Sequence, residues 1–194
     1  MKKLTSIFLI AIIAISTVAF VSTKKDNTEF EASKVEFLSF LEETKSYTIE
    51  LAEAMPADKY TFKPHDSVRS FGEQMAHIGM SSKFLLGVFI KGEPFPTDPN
   101  VFAEIGKLEK EMGADKEKCI ATLNTTFTAI KDTYKGMTEE QMKETFKVPF
   151  DPKQPEFSKK RGFGFIKDHM IHHRGQALVS LRMQGIKAPQ YRLY

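Results

Sequence analysis

The chain has 194 residues, with 28 Lys+Arg against 25 Asp+Glu and a formal charge of +3. Lys2 and Lys3 supply two of those cations, so the rest is nearly neutral; nothing pulls strongly on phosphate, no DNA-binding motif is present, and nucleic acid is not an expected partner. Cys119 is the single cysteine, which rules out an intramolecular disulfide and leaves stability to an apolar core that 17 Phe and 9 Met can supply.

In chain order, the first residues read as an export signal. Lys2 and Lys3 precede an almost unbroken apolar run from Ile7 to Val21, shorter than the roughly 20 residues a helix needs to span a membrane. Small residues lie near its end (Thr17-Val18-Ala19, or Ser22-Thr23), so residues 1–23 are expected to be a signal peptide and the protein periplasmic or extracellular. The alternative is an uncleaved segment that anchors the protein to the membrane. The remainder is sized for one domain, taken as residues 30–194.

Four stretches carry helical periodicity. The first runs from about Thr28 to Met55, with Phe37, Leu41, Thr44, Thr48, Leu51 and Met55 three or four apart, and Pro56 ends it. The second starts at Ser70, which with Glu73 forms a capping-box signature, and passes Met75, Ile78, Leu85 and Val88 to stop near Gly92. A long loop, Lys91 to Ala114, is expected next, with partial helix around Val101 to Met112; its charge-rich end, Lys107 to Lys118, reads as a solvated helix face. The third helix spans about Asp115 to Tyr134 and contains Cys119, read as a buried small hydrophobe rather than a reactive thiol. After a short turn capped by Thr138 and Gln141, the Pro-containing stretch Phe146 to Gly162 reads as an extended loop or hairpin. The fourth helix spans about Phe163 to Gln184, with Gly185 as its stop. Four amphipathic helices without a strand set predict an all-α four-helix bundle.

Three of the five histidines fall in Asp168-His169-Met170-Ile171-His172-His173-Arg174. At about 100° per residue, His169 and His173 lie about 40° apart on one helix face, one turn above the other, while His172 points away. That is the spacing by which one helix offers two imidazoles to a metal ion. Gln176 and Ser180 continue the strip beside Ile166, Met170, Ala177 and Leu181, so the strip faces inward, where an unpaired imidazole is costly. His77, aligned with Gln74 and Ser81 on the second helix, can supply a third nitrogen and leave a coordination position open for water or substrate. The competing reading is a hydrogen-bonded surface pair and a satisfied core histidine. His65 sits in a loop and has no assigned role, and no Asp or Glu stands out as a general base.

Phe62-Lys63-Pro64-His65-Asp66-Ser67-Val68-Arg69-Ser70-Phe71-Gly72-Glu73-Gln74-Met75-Ala76-His77-Ile78 resembles the second-helix motif of the DinB/YfiT-like superfamily. His169-Met170-Ile171-His172-His173-Arg174-Gly175-Gln176 resembles its fourth-helix signature, in the same order. The resemblance implies a four-helix bundle with a three-histidine site for zinc or nickel, carried over to His77, His169 and His173. It also implies a homodimer, and an activity that is either metal-dependent hydrolysis or thiol-type transfer on an unknown small-molecule substrate. Those transfers use cytoplasmic thiols, in conflict with an export signal. Gln176 is a candidate for orienting substrate or water. The alternative function is a non-catalytic exported module that binds a metal or small ligand.

The export reading is checked by N-terminal sequencing of protein from its native cell, which should begin between about residues 20 and 24. A chain retaining Met1 in the membrane fraction would identify the anchor instead, and the same chain in the cytoplasm would end the export reading.

Overall fold

The structure, a computed structural model, describes residues 2–192, with side chains described from Thr28 onward. The expected signal peptide, residues 1–23, lies outside the residues described in that detail. Among the described residues, no helix is long and apolar enough to cross a membrane. The chain divides into two compact units, Met1–Phe37 and Leu38–Tyr194. In the first, the Ser33 hydroxyl donates to the Phe30 carbonyl at 2.9 Å and the Lys34 ammonium lies over the Phe30 ring. The second holds the bundle.

Helix α1 spans Lys2–Ala54. In the second unit it buries Leu41, Thr44, Thr48 and Leu51, with Met55 buried just past its end, the three-and-four spacing read in the sequence. Pro56 follows and a 3-10 turn, Ala57–Lys59, leads to Tyr60, whose hydroxyl donates to the Ala52 carbonyl at 2.7 Å. Helix α2, Phe71–Leu85, opens with the expected capping box: Glu73 N–H donates to Ser70 Oγ, and Ser70 N–H to the Glu73 carboxylate. It is the centre of the bundle, packed against α3, α4 and α6. Its end widens into a π turn, Leu86–Lys91, stopped by Gly92 in the left-handed region at φ 74°.

The link expected as a long loop with partial helix carries a full helix, α3, Pro99–Gly113. Asp98 caps it by accepting from Asn100 N–H, and Pro99 sits at the first position, where its missing N–H is no loss. Helix α4, Lys116–Gly136, is capped by Asp115 and buries Cys119, Leu123, Phe127, Ile130 and Tyr134. A short helix α5, Glu139–Lys143, carries the expected Thr138–Gln141 box. The Pro-containing stretch is a small hairpin: β1, Thr145–Lys147, pairs antiparallel with β2, Glu156–Ser158, with Phe146 opposite Phe157. Helix α6, Lys159–Met183, begins earlier than its apolar pattern because Ser158 caps it, and it ends before Gly185 at φ 70°.

The tightest joint is backbone against backbone. A Cβ at Gly72, in the first turn of α2, would meet the Gly113 carbonyl oxygen at 1.8 Å, and a Cβ at Gly113 would meet Glu73 N at 2.6 Å. The Cys119 thiol lies beside this joint and donates to the carbonyls of Met112 and Gly72. Burial, with Asp115 nearby, pushes that thiol up to about 12, so it stays protonated and packs as a small hydrophobe.

Gly72→Ala should therefore cost about 3 kcal/mol or more in a urea titration, since backbone rather than a pliable side chain would have to move. Gly106 has nothing within 4 Å of an added Cβ; Gly106→Ala, inside α3, should stabilise by about 0.5–1 kcal/mol.

Candidate metal centre

The bundle brings together the three histidines that the spacing singled out. His77 of α2 and His169 and His173 of α6 each offer a ring nitrogen within 4.8 Å of the others. The ring centroids of His77 and His173 are 4.3 Å apart, those of His169 and His173 4.5 Å, and those of His77 and His169 5.3 Å. His172 is exposed, with its ring perpendicular to that of His173, and lies outside the cluster. His65 is exposed in its loop and pairs with Ser67.

Each ring is held from behind. The His77 Nδ1–H donates to Glu109 Oε2 at 2.7 Å. The His173 Nδ1–H donates to Gln74 Oε1 at 2.9 Å. Ser81 sends its hydroxyl hydrogen to the His77 carbonyl at 2.6 Å, which leaves its oxygen, 3.4 Å from His169 Nδ1, to accept from that ring. With all three Nδ1 atoms carrying hydrogen, the lone pairs belong to Nε2, and the Nε2 atoms of His169 and His173 face each other at 3.2 Å.

Two facing lone pairs repel unless a cation lies between them. A tetrahedral ion with bonds of about 2.0–2.1 Å sets neighbouring donors about 3.3 Å apart, close to the spacing found. Burial first, then the neighbouring His77 and Arg69, push His169 down to about 4 and His173 down to about 3. Both rings are therefore neutral near pH 7, the form that ligates a metal. The residues present fit a divalent ion.

Glu109 escaped the sequence reading. It lies in the charge-rich segment taken as solvated, yet it is 6% exposed, and its Oε1 accepts from Arg69 Nε. Burial would raise its carboxyl, but the hydrogen bonds and charge of His77 and Arg69 outweigh burial and hold it below the usual carboxylate range. Gln176 does not touch the three rings directly: its Oε1 accepts from Gln74 Nε2 at 2.8 Å and its Nε2 donates to His172 Nε2 at 2.8 Å. Beside His169 the Phe165 ring lies nearly parallel to the imidazole, 6.2 Å away, and leads through Phe150 to Phe95 and Phe102. The cluster thus has an amide flank and an aromatic flank.

A helical bundle that turns imidazoles from facing helices toward one point has the architecture in which bundle metal sites are built. Residues 41–177 match the DinB superfamily, and the chain belongs to it. Three solved structures share the fold. A DinB-like protein from Bacillus cereus is 15% identical with a TM-score of 0.62, covering 80% of this chain and 95% of that one. YfiT from Bacillus subtilis, called a probable metal-dependent hydrolase with an unusual four-helix bundle topology, is 18% identical with a TM-score of 0.62 over 79% and 89%. A second DinB-like protein from Bacillus subtilis is 23% identical, with a TM-score of 0.51 over 82% and 99%. Among curated proteins none matches the chain.

The lowered values of His169 and His173 have a consequence for the metal-free protein. Both rings are lower folded than the ~6.5 of an unfolded histidine, so below that pH the unfolded chain binds more protons and folding loses stability. The urea midpoint of metal-free protein should hold level above about pH 7, then fall between about 6.5 and the folded values of about 4 and 3. The slope over that window should flatten in a His169→Asn/His173→Asn variant.

Proposed function

We propose that the chain is a metal-dependent enzyme, a hydrolase or transferase, in which His77, His169 and His173 hold one divalent ion through Nε2. The observation that carries this reading is the inward convergence of three imidazoles whose Nδ1 atoms are already engaged. Three imidazole nitrogens suit zinc or nickel and leave a position free for a small-molecule substrate. A divalent ion held there would supply Lewis acidity, polarising an electrophile and easing loss of a proton from water. The protein's own part is orientation: α6 fixes two rings one turn apart and α2 the third. That YfiT, a structural neighbour, is called a probable metal-dependent hydrolase supports the same reading. The N-terminal run adds export to the proposal, and the superfamily resemblance adds a homodimer.

One observation favours a second reading. Both Glu109 oxygens are engaged, so that buried carboxylate beside the rings is not free to act as a base. In that reading the same site sequesters a metal or small ligand without turnover.

Purified protein should carry about one divalent ion per chain. His77→Ala, His169→Ala and His173→Ala should each weaken retention by more than about a hundredfold, whereas His65→Ala and His172→Ala should change it less than about threefold. Elemental analysis after dialysis against a mild chelator reads this; if His172→Ala empties the site and His169→Ala does not, the ligand set is wrong. Loaded protein that hydrolyses none of a panel of esters, amides and lactones, and transfers no thiol, would favour sequestration.

A further inference from the structure

Glu109 is an acidic residue on a helix that is otherwise largely exposed, and it is the one member of α3 that reaches the histidines by hydrogen bond. It lies one turn before Gly113, and His77 lies little more than one turn after Gly72. The backbone contact of those two glycines therefore sets the distance between carboxylate and ring. Arg69, in the segment leading into α2, holds the other oxygen, so the carboxylate is gripped from both sides and buried. Each carboxylate oxygen thus has a donor of its own, His77 on one and Arg69 on the other.

We propose that Glu109 is a positioning residue for His77: its carboxylate, clamped by Arg69, fixes the Nδ1–H tautomer and aims Nε2 at the point where His169 and His173 converge. A buried imidazole otherwise has two tautomers and a rotatable ring, and only one combination presents its lone pair inward. An acceptor behind the ring selects that combination before any ion arrives and makes the inward nitrogen more basic. Gln74 does the same for His173 through a neutral amide and Ser81 for His169 through a hydroxyl, so Glu109 is the only charged member of the set. The consequence for metal affinity rests on the function proposed above; the tautomer does not.

The test compares Glu109→Gln with Glu109→Met in the full chain. Both side chains are close to Glu109 in size, but only Gln keeps an oxygen that can accept from His77; its NH2 group then faces Arg69, whose partly exposed side chain can swing away. Long-range proton–nitrogen NMR on metal-free protein reads the tautomer of each histidine. Wild type and Glu109→Gln should show His77 with hydrogen on Nδ1, whereas Glu109→Met should show it on Nε2 or exchanging between the two. Zinc affinity by competition with a chromophoric chelator should fall by roughly 10–100-fold in Glu109→Met and by less than about tenfold in Glu109→Gln. Wild-type His77 with hydrogen on Nε2 overturns the proposal, as does a Met variant that keeps both tautomer and affinity, or a Gln variant that falls as far as Met. Should Glu109→Met fail to fold, the wild-type and Gln tautomers still decide. If no variant binds zinc but the tautomers behave as stated, the metal reading fails and the positioning role stands.

Discussion

The contact of Gly72 with Gly113 governs the rest of the molecule. Where two helices meet through side chains, a mismatch of an ångström is absorbed by rotamers; where they meet through backbone, nothing gives. This joint locks the first turn of α2 to the last turn of α3, and the Cys119 thiol of α4 bonds to carbonyls on both sides of it. Because α2 is the helix against which α3, α4 and α6 all pack, fixing its N-terminal turn fixes the frame in which His77 meets the pair on α6. A buried site needs such a frame, since its geometry must be held to a fraction of an ångström.

Around the three rings the protein spends its polar groups outward and its lone pairs inward. Each Nδ1 is matched with a different kind of acceptor, a carboxylate, an amide and a hydroxyl. Charging the rings in this setting is unfavourable, chiefly because they are buried, as the lowered values of His169 and His173 record. The amide flank continues to the exposed His172 through Gln74 and Gln176, while the aromatic flank at Phe165 offers no hydrogen bond.

Much of this was legible in the chain. His169 and His173 are visible because four residues on a helix bring a side chain back to the same face, and the adjoining Met170 and Ala177 show that the face is inward. His77 is legible by the same logic, from Gln74 and Ser81 on either side of it. Glu109 was not read, because the segment's many charges mask a stripe of Val101, Ile105 and Met112 that contains it; an acid in the middle of an apolar stripe was the signal. The π turn at Leu86–Lys91 leaves no trace, since over six residues its period cannot be told from that of an α-helix. The full extent of α3 was foreshadowed by Asp98-Pro99, a cap and a first-turn proline that the low hydrophobicity of the segment obscured.

That π turn bears on how the chain can change in length. A π turn accommodates one residue more than an α-helix would over the same span, and here the surplus is confined to a stretch closed by the left-handed Gly92 and by the bond from Glu93 N–H to the Gly87 carbonyl. His77 and Ser81 lie upstream of it. Losing one residue between 86 and 91 would restore a regular helix while leaving their register untouched. The same loss between Gly72 and His77 would swing His77 by about 100° relative to the joint that starts α2. Tolerance to insertion and deletion is thus partitioned along a single helix, permissive at its distal end and forbidden where it carries the histidine.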